Sequence, residues 1–173
     1  MLVFNNTGLG ELQLGKTIEQ IPFLQPFNDA DRKLFLPSPD SESWYKYTGE
    51  CSGLGDGKFF SFPAQSIYLS VNKNCIANHI WIHPNTPVIG MDIAEGLRGI
   101  YGIPSTTAGG MGNLQGTTNY TFYFYVTADK SVQVAYHRVF NIDYYGPEFI
   151  SFHFLKDMDA LFHYRLTYRS WKK

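Results

Sequence analysis

Ile67-Tyr68-Leu69-Ser70-Val71-Asn72-Lys73-Asn74-Cys75-Ile76 and Ile150-Ser151-Phe152-His153-Phe154-Leu155-Lys156-Asp157-Met158-Asp159 are the two stretches that decide how this chain folds. Each opens with residues alternating between aliphatic or Phe side chains and polar or ring-bearing ones. Each then breaks at a cluster of Asn, Asp and Lys. That is the signature of a strand with two unlike faces running into a turn. The stretches lie roughly 80 residues apart, and around each the same order recurs: one short helical signal, then strand-like runs. A period of that length is too long for a solenoid unit and suits duplication of a small α+β module.

Working outward, the first half offers strands at 43–48, 58–62, 66–71 and 76–83. The second half offers them at 119–126, 131–140, 148–154 and 160–169. Thr17 and Gln20 have capping-box spacing for a first helix, which Pro22 cuts short. Asp92 caps a second helix that Gly102, before Ile103-Pro104, ends. Gly96 and Gly99 cost this helix about 1 kcal/mol each against Ala, so it depends on docking to a sheet. Residues 105–118, rich in Thr and Gly, read as a mobile loop without the strand–turn–helix context of a phosphate site. The expected fold is therefore α+β: two tandem helix-plus-four-strand modules, 1–84 and 85–173. They would form one compact unit with a curved, mostly antiparallel sheet and helices on one face.

Alternation sorts the strands into two faces. Ile67, Leu69, Val71, Ile80, Ile82, Phe122, Phe124, Val132, Val134, Ile150 and Phe152 make the expected core, each full burial stabilising by roughly 1.5–3 kcal/mol. The opposite face collects Tyr68, His79, Trp81, His83, Tyr123, Tyr125, His137, Phe149, His153, His163 and Arg165. All five histidines of the chain fall on it. Aromatic residues make up 17 % of the sequence and charged residues 17 %, the latter below the ~25 % of ordinary soluble domains. More rings than one modest core needs point to an exposed face meant to be covered by a partner.

A net charge of −1 leaves no basic footprint for nucleic acid. No apolar run approaches the ~18 residues of a membrane span. The first residues show neither a basic segment nor a sustained apolar one, so the chain as written reads as cytoplasmic, with a periplasmic mature form as the alternative. Cys51 and Cys75 are compatible with a bridge or with two free thiols.

Catalysis and metal binding find little to build on. His79 and His83 lie four residues apart, about 13 Å along a strand, too far to share an ion. His153 and His163 are placed opposite or diagonal across their hairpin, with His137 on a nearby strand, but no Asp or Glu of the strand runs joins them on that face. There is no Gly-x-Ser-x-Gly elbow, and no acid is placed to activate Cys75 through His79. The expectation is a protein without cofactor or metal, and not an enzyme.

A short helix followed by four antiparallel strands, given twice, resembles the tandem-repeat β-lactamase inhibitor proteins, and more loosely the SmpA/OmlA-type lipoprotein module. The likeness rests on Leu14-Gly15-Lys16-Thr17-Ile18-Glu19-Gln20-Ile21 and Ile89-Gly90-Met91-Asp92-Ile93-Ala94-Glu95. Lys16, Pro22, Gly96 and Gly99 depart from the pattern, and the second half lacks the cysteine pair. The resemblance implies a non-catalytic binder whose sheet and hairpin loops cover another protein. The expected function is accordingly an inhibitor or immunity-type protein that occludes an enzyme or toxin. Tyr68, Trp81, Tyr123, Tyr125 and Phe149 would anchor the contact, and the five histidines with Arg165 would fix its register. Loops around Asp56, Asn74 and Asp157 would reach into the partner's cleft. An envelope-assembly scaffold and a small hydrolase are the alternatives.

Overall fold

The computed structural model describes residues 1–28, 43–85, 93–113, 117–139 and 148–157. They form two sheets and one α-helix, all sharing one core. The small sheet is built from β1 (Leu2–Asn5), β2 (Gly8–Leu9), β3 (Leu12–Gln13), β6 (Leu54–Gly55) and β7 (Ser61–Phe62) in the order β3-β2-β1-β6-β7. Its β1–β6 pairing is parallel. The large sheet has eight strands in the order β10-β11-β12-β13-β9-β8-β5-β4. These are β4 (Leu24–Pro26), β5 (Ser43–Tyr47), β8 (Ala64–Val71), β9 (Ala77–Pro84), β10 (Thr106–Asn113), β11 (Thr117–Val126), β12 (Val132–Val139) and β13 (Phe149–Phe154). Every neighbouring pair in it is antiparallel. Helix α1 spans Ile93–Tyr101.

This corrects the expectation of two helix-plus-four-strand modules. The first helical signal closes only a single 3-10 turn, Ile18–Gln20. Its capping box is present, with the Thr17 N–H donating to Gln20 Oε1 at 3.0 Å, but Pro22 follows before an α-turn can propagate. The run at 58–62 shrinks to β7 and joins the small sheet rather than the large one. Residues expected to loop at 105–118 supply β10, an edge strand paired with β11 over Thr106–Asn113. The expected strand at 160–169 lies outside the described residues. Strands β9 and β13, from the two halves of the chain, pair directly, so the large sheet is continuous across them.

One face of the large sheet packs against the small sheet and α1. Ile67, Leu69, Ile80, Ile82, Val132, Val134, Ile150 and Phe152 are buried there with Leu2, Leu9, Leu12, Leu54 and Phe62. Phe4 stacks on Phe152 at 5.7 Å, and the Tyr101 hydroxyl donates to Asn5 O at 2.9 Å, tying helix and small sheet together over the large one.

In β11 the faces are the reverse of those expected. Tyr125 lies opposite Val134 and Tyr123 opposite Tyr136, which puts both tyrosines on the core side and Phe124 on the other. The physical reason is that β11 carries rings on both sides, so hydropathy alone favoured Phe over Tyr. Tyr125 is 0 % exposed, yet its hydroxyl is satisfied by donating to Ala94 O of α1 at 2.9 Å. A buried phenol with a partner loses nothing to its polarity.

Candidate functional site

The second face of the large sheet gathers most of the expected contact residues, and the structure places them under cover. His137 is 0 % exposed, His153 4 %, Tyr68 1 % and Phe149 2 %. Trp81, His79 and His83 are only partly exposed. Phe27, continuing β4 beside β5, lies edge-on to Tyr68 at 5.0 Å and beside Trp44 at 6.0 Å on this face. The expected open recognition face is thus a buried one. Alternation tells which side chains share a face but is silent on whether anything lies over them. The scarcity of charge on this face fits its coverage as well as it fits a docking surface.

Register arranges the face in rows across the strands. Gln133 lies opposite His153, His153 opposite His79, and His79 opposite Ser70. In the next row Ala135 lies opposite Ser151, Ser151 opposite Trp81, and Trp81 opposite Tyr68. The imidazoles of His79 and His153 meet edge to face at 5.9 Å. Trp81 stacks on Phe149 at 4.1 Å, and His137 adjoins Phe149 at 5.0 Å. Burial pushes the His79 pKa down to about 3, with the neighbouring His153 adding to the effect, and burial lowers His153 and His83 to about 4. At neutral pH these rings are uncharged.

Four polar atoms in this part of the face have no hydrogen-bond partner although they are shut off from solvent: Gln133 Oε1, Ser151 Oγ, His79 Nε2 and His153 Nε2. Buried polar atoms are paired in the great majority of cases, so four neighbouring orphans are unusual. No group of three or more metal-ligating side chains occurs among the described residues.

The loops divide differently. Asp56 Oδ1 accepts from the backbone N–H groups of Lys58, Phe59 and Phe60 at 2.7, 2.8 and 3.0 Å. These bonds, those of Phe60 and Lys58 foremost, hold the Asp56 carboxyl below its ordinary pKa. The turn they fix presents Phe59 to solvent at 94 % exposure. Asn74 sits in the β8–β9 turn, where Asn72 Oδ1 accepts from the N–H groups of Asn74 and Ile76 at 2.9 and 3.1 Å and Cys75 adopts φ 58. Asp157 closes a 3-10 turn, Leu155–Asp157, after β13. His163 and Arg165 lie outside the described residues. Sequence reasoning missed Phe59 itself, although Asp56-Gly57 signalled its turn.

Comparison with family models, curated proteins and solved structures finds no match for this chain. Among the described residues no helix is long and apolar enough to cross a membrane.

Proposed function

We propose that this protein is a non-catalytic protein-binding molecule of the inhibitor or immunity type, and that its contact surface is the Asp56–Phe60 turn rather than the large sheet. The observation that carries this is Phe59: a fully presented ring on a turn that three backbone hydrogen bonds to Asp56 already hold in shape. A rigid aromatic anchor loses little conformational freedom on binding, which is what makes a hot spot. The turn lies over Met1 and Val3, themselves 61 % and 40 % exposed. An added Cβ at Gly57 would stand 3.4 Å from Val3 Cγ2 and 3.8 Å from Met1 Cε. Together they form an apolar patch at the edge of the small sheet, with Phe59 as its projecting part and the occluded cleft of an enzyme or toxin as its counterpart.

Cys51 and Cys75 stand as free thiols, which suits a reducing compartment such as the cytoplasm. The test is native co-purification from the source cell with wild-type protein and the Phe59→Asp variant. A partner retained in stoichiometric amount by wild type should be lost by the variant, whose melting temperature stays unchanged. For Phe59→Ala the expected loss is at least about 2 kcal/mol, roughly 30-fold in Kd. Equal retention by both proteins would remove this surface from the interface.

A further inference from the structure

We infer that Gly96 of α1 is a positioning residue for Phe59, acting through Phe60. The missing side chain at Gly96 seats the Phe60 ring on the helix, and that seat fixes the direction in which the turn carries Phe59. The role rests on Phe59 being the contact anchor proposed above, and it brings α1 into the binding machinery.

The turn is stiff within itself but has little to hold it to the rest of the molecule. Asp56 Oδ1 accepts from three successive N–H groups, and the Asp56 N–H donates to Phe60 O at 3.1 Å. These bonds close the turn on itself. The strands leading in and out, β6 and β7, are two residues long each and give it little leverage. The Phe59 ring is almost wholly exposed, so contacts of its own do not orient it. Its neighbour does the opposite. Phe60 is buried, with its ring centroid 6.5 Å from that of Phe4 and 5.4 Å from that of Phe62.

Against α1 the approach is closer still. A Cβ on Gly96 would fall 2.2, 2.3 and 2.4 Å from Phe60 Cδ2, Cε2 and Cγ. The base of the ring as well as its edge therefore lies on bare helix backbone. Any side chain at position 96 must move Phe60, and with it the backbone of the adjacent Phe59. Gly99, three residues along the same helix, has open space where its Cβ would stand. Helix propensity acts alike at both glycines, so only the seat distinguishes them. A ring that already points at its pocket loses little freedom on binding, whereas a wavering one must first be ordered, at the expense of affinity.

The experiment follows the backbone amides of the 15N-labelled full chain by hydrogen exchange and heteronuclear NOE in wild type, Gly96→Ala, Gly99→Ala and Phe60→Leu. Gly96→Ala should speed exchange of the Phe60 amide at least about tenfold and lower the NOE of Phe59, while Gly99→Ala leaves both as in wild type. The amides of Asn74 and Ile76, which Asn72 Oδ1 holds in a similar turn between β8 and β9, should keep their wild-type rates. Phe60→Leu empties the seat without crowding it; it should loosen the turn in the same way and carries the test where Gly96→Ala does not fold. Adding Gly96→Ala to Phe60→Leu should loosen the turn less than the sum of the two changes, because both act on one contact. Toward the partner captured by wild type, Gly96→Ala should raise Kd about tenfold and Gly99→Ala should leave it unchanged. Phe59 and Phe60 amides unaltered in Gly96→Ala and Phe60→Leu would overturn the positioning role. Equal loosening of the Asn72 turn would overturn it too, by making Gly96 merely structural. The amide readouts need no partner, so they fail separately from the co-purification: retention of the partner by Phe59→Asp would remove the anchor, not the coupling of Gly96 to Phe60.

Discussion

The Tyr125 hydroxyl donates to Ala94 O at 2.9 Å across the contact between β11 and α1, with Tyr101 alongside at 6.3 Å between ring centroids. Removing that oxygen keeps the ring and deletes one buried hydrogen bond. Tyr125→Phe should therefore lower stability by about 1 kcal/mol, read as a shift of the urea midpoint at constant slope. A midpoint equal to wild type would mean that the phenol does not face the helix. The same residue marks the limit of alternation as a guide. In Tyr120-Thr121-Phe122-Tyr123-Phe124-Tyr125-Val126 either set of rings could line a core, and only the carbonyl waiting on α1 decides between them. By contrast, Ile80 and Ile82 against His79 and Trp81 left no such choice. Their faces were legible because burying two aliphatics against the core gains more than burying an imidazole and an indole, each with a polar N–H, in their place.

Helix α1 shows what an element's sequence can and cannot reveal. Its two glycines look alike as weaknesses, yet their surroundings differ. A Cβ built on Gly96 would fall 2.2 Å from Phe60 Cδ2, with the neighbouring ring atoms scarcely farther away, whereas one on Gly99 meets nothing within 4 Å. Gly96 is the gap through which Phe60, emerging from the Asp56 turn, packs onto the helix. Gly96→Ala must displace that ring and should destabilise the protein despite its better helix propensity. Gly99→Ala should stabilise it by about 0.5–1 kcal/mol, the ordinary backbone gain. Thermal melts of the two variants should move in opposite directions, and parallel shifts would refute the packing. The dependence of α1 on docking was readable from its composition. The small sheet was not, because β2, β3, β6 and β7 are two residues long. A pair of residues carries no periodicity, and such strands exist only through the partners that the tertiary fold brings them.

At the scale of the molecule, the surplus of rings is used on both sides of the large sheet. The apolar side was readable from the strands, while the burial of the polar side was not, since alternation is silent on what lies over a face. Burying a histidine-bearing face has a consequence for pH. Burial holds His79 at about 3, aided by His153, and His83 and His153 at about 4, all below the ordinary 6.5. Between pH 6.5 and about 4 the unfolded chain therefore takes up protons that the folded chain refuses. Stability is fully present above 6.5 and is lost as the pH falls toward the folded values, at roughly 1 kcal/mol per pH unit for each histidine. His79 and His153 touch, so their protons come on as a pair rather than site by site. Melting temperature should fall steadily from pH 7 to pH 4.5, beyond what carboxylate titration below pH 5 explains. His153→Phe, which keeps a ring in place, should make that fall shallower by the share of one buried imidazole. A melting temperature flat between pH 7 and pH 5 would show that these rings reach solvent, and the covered face with them.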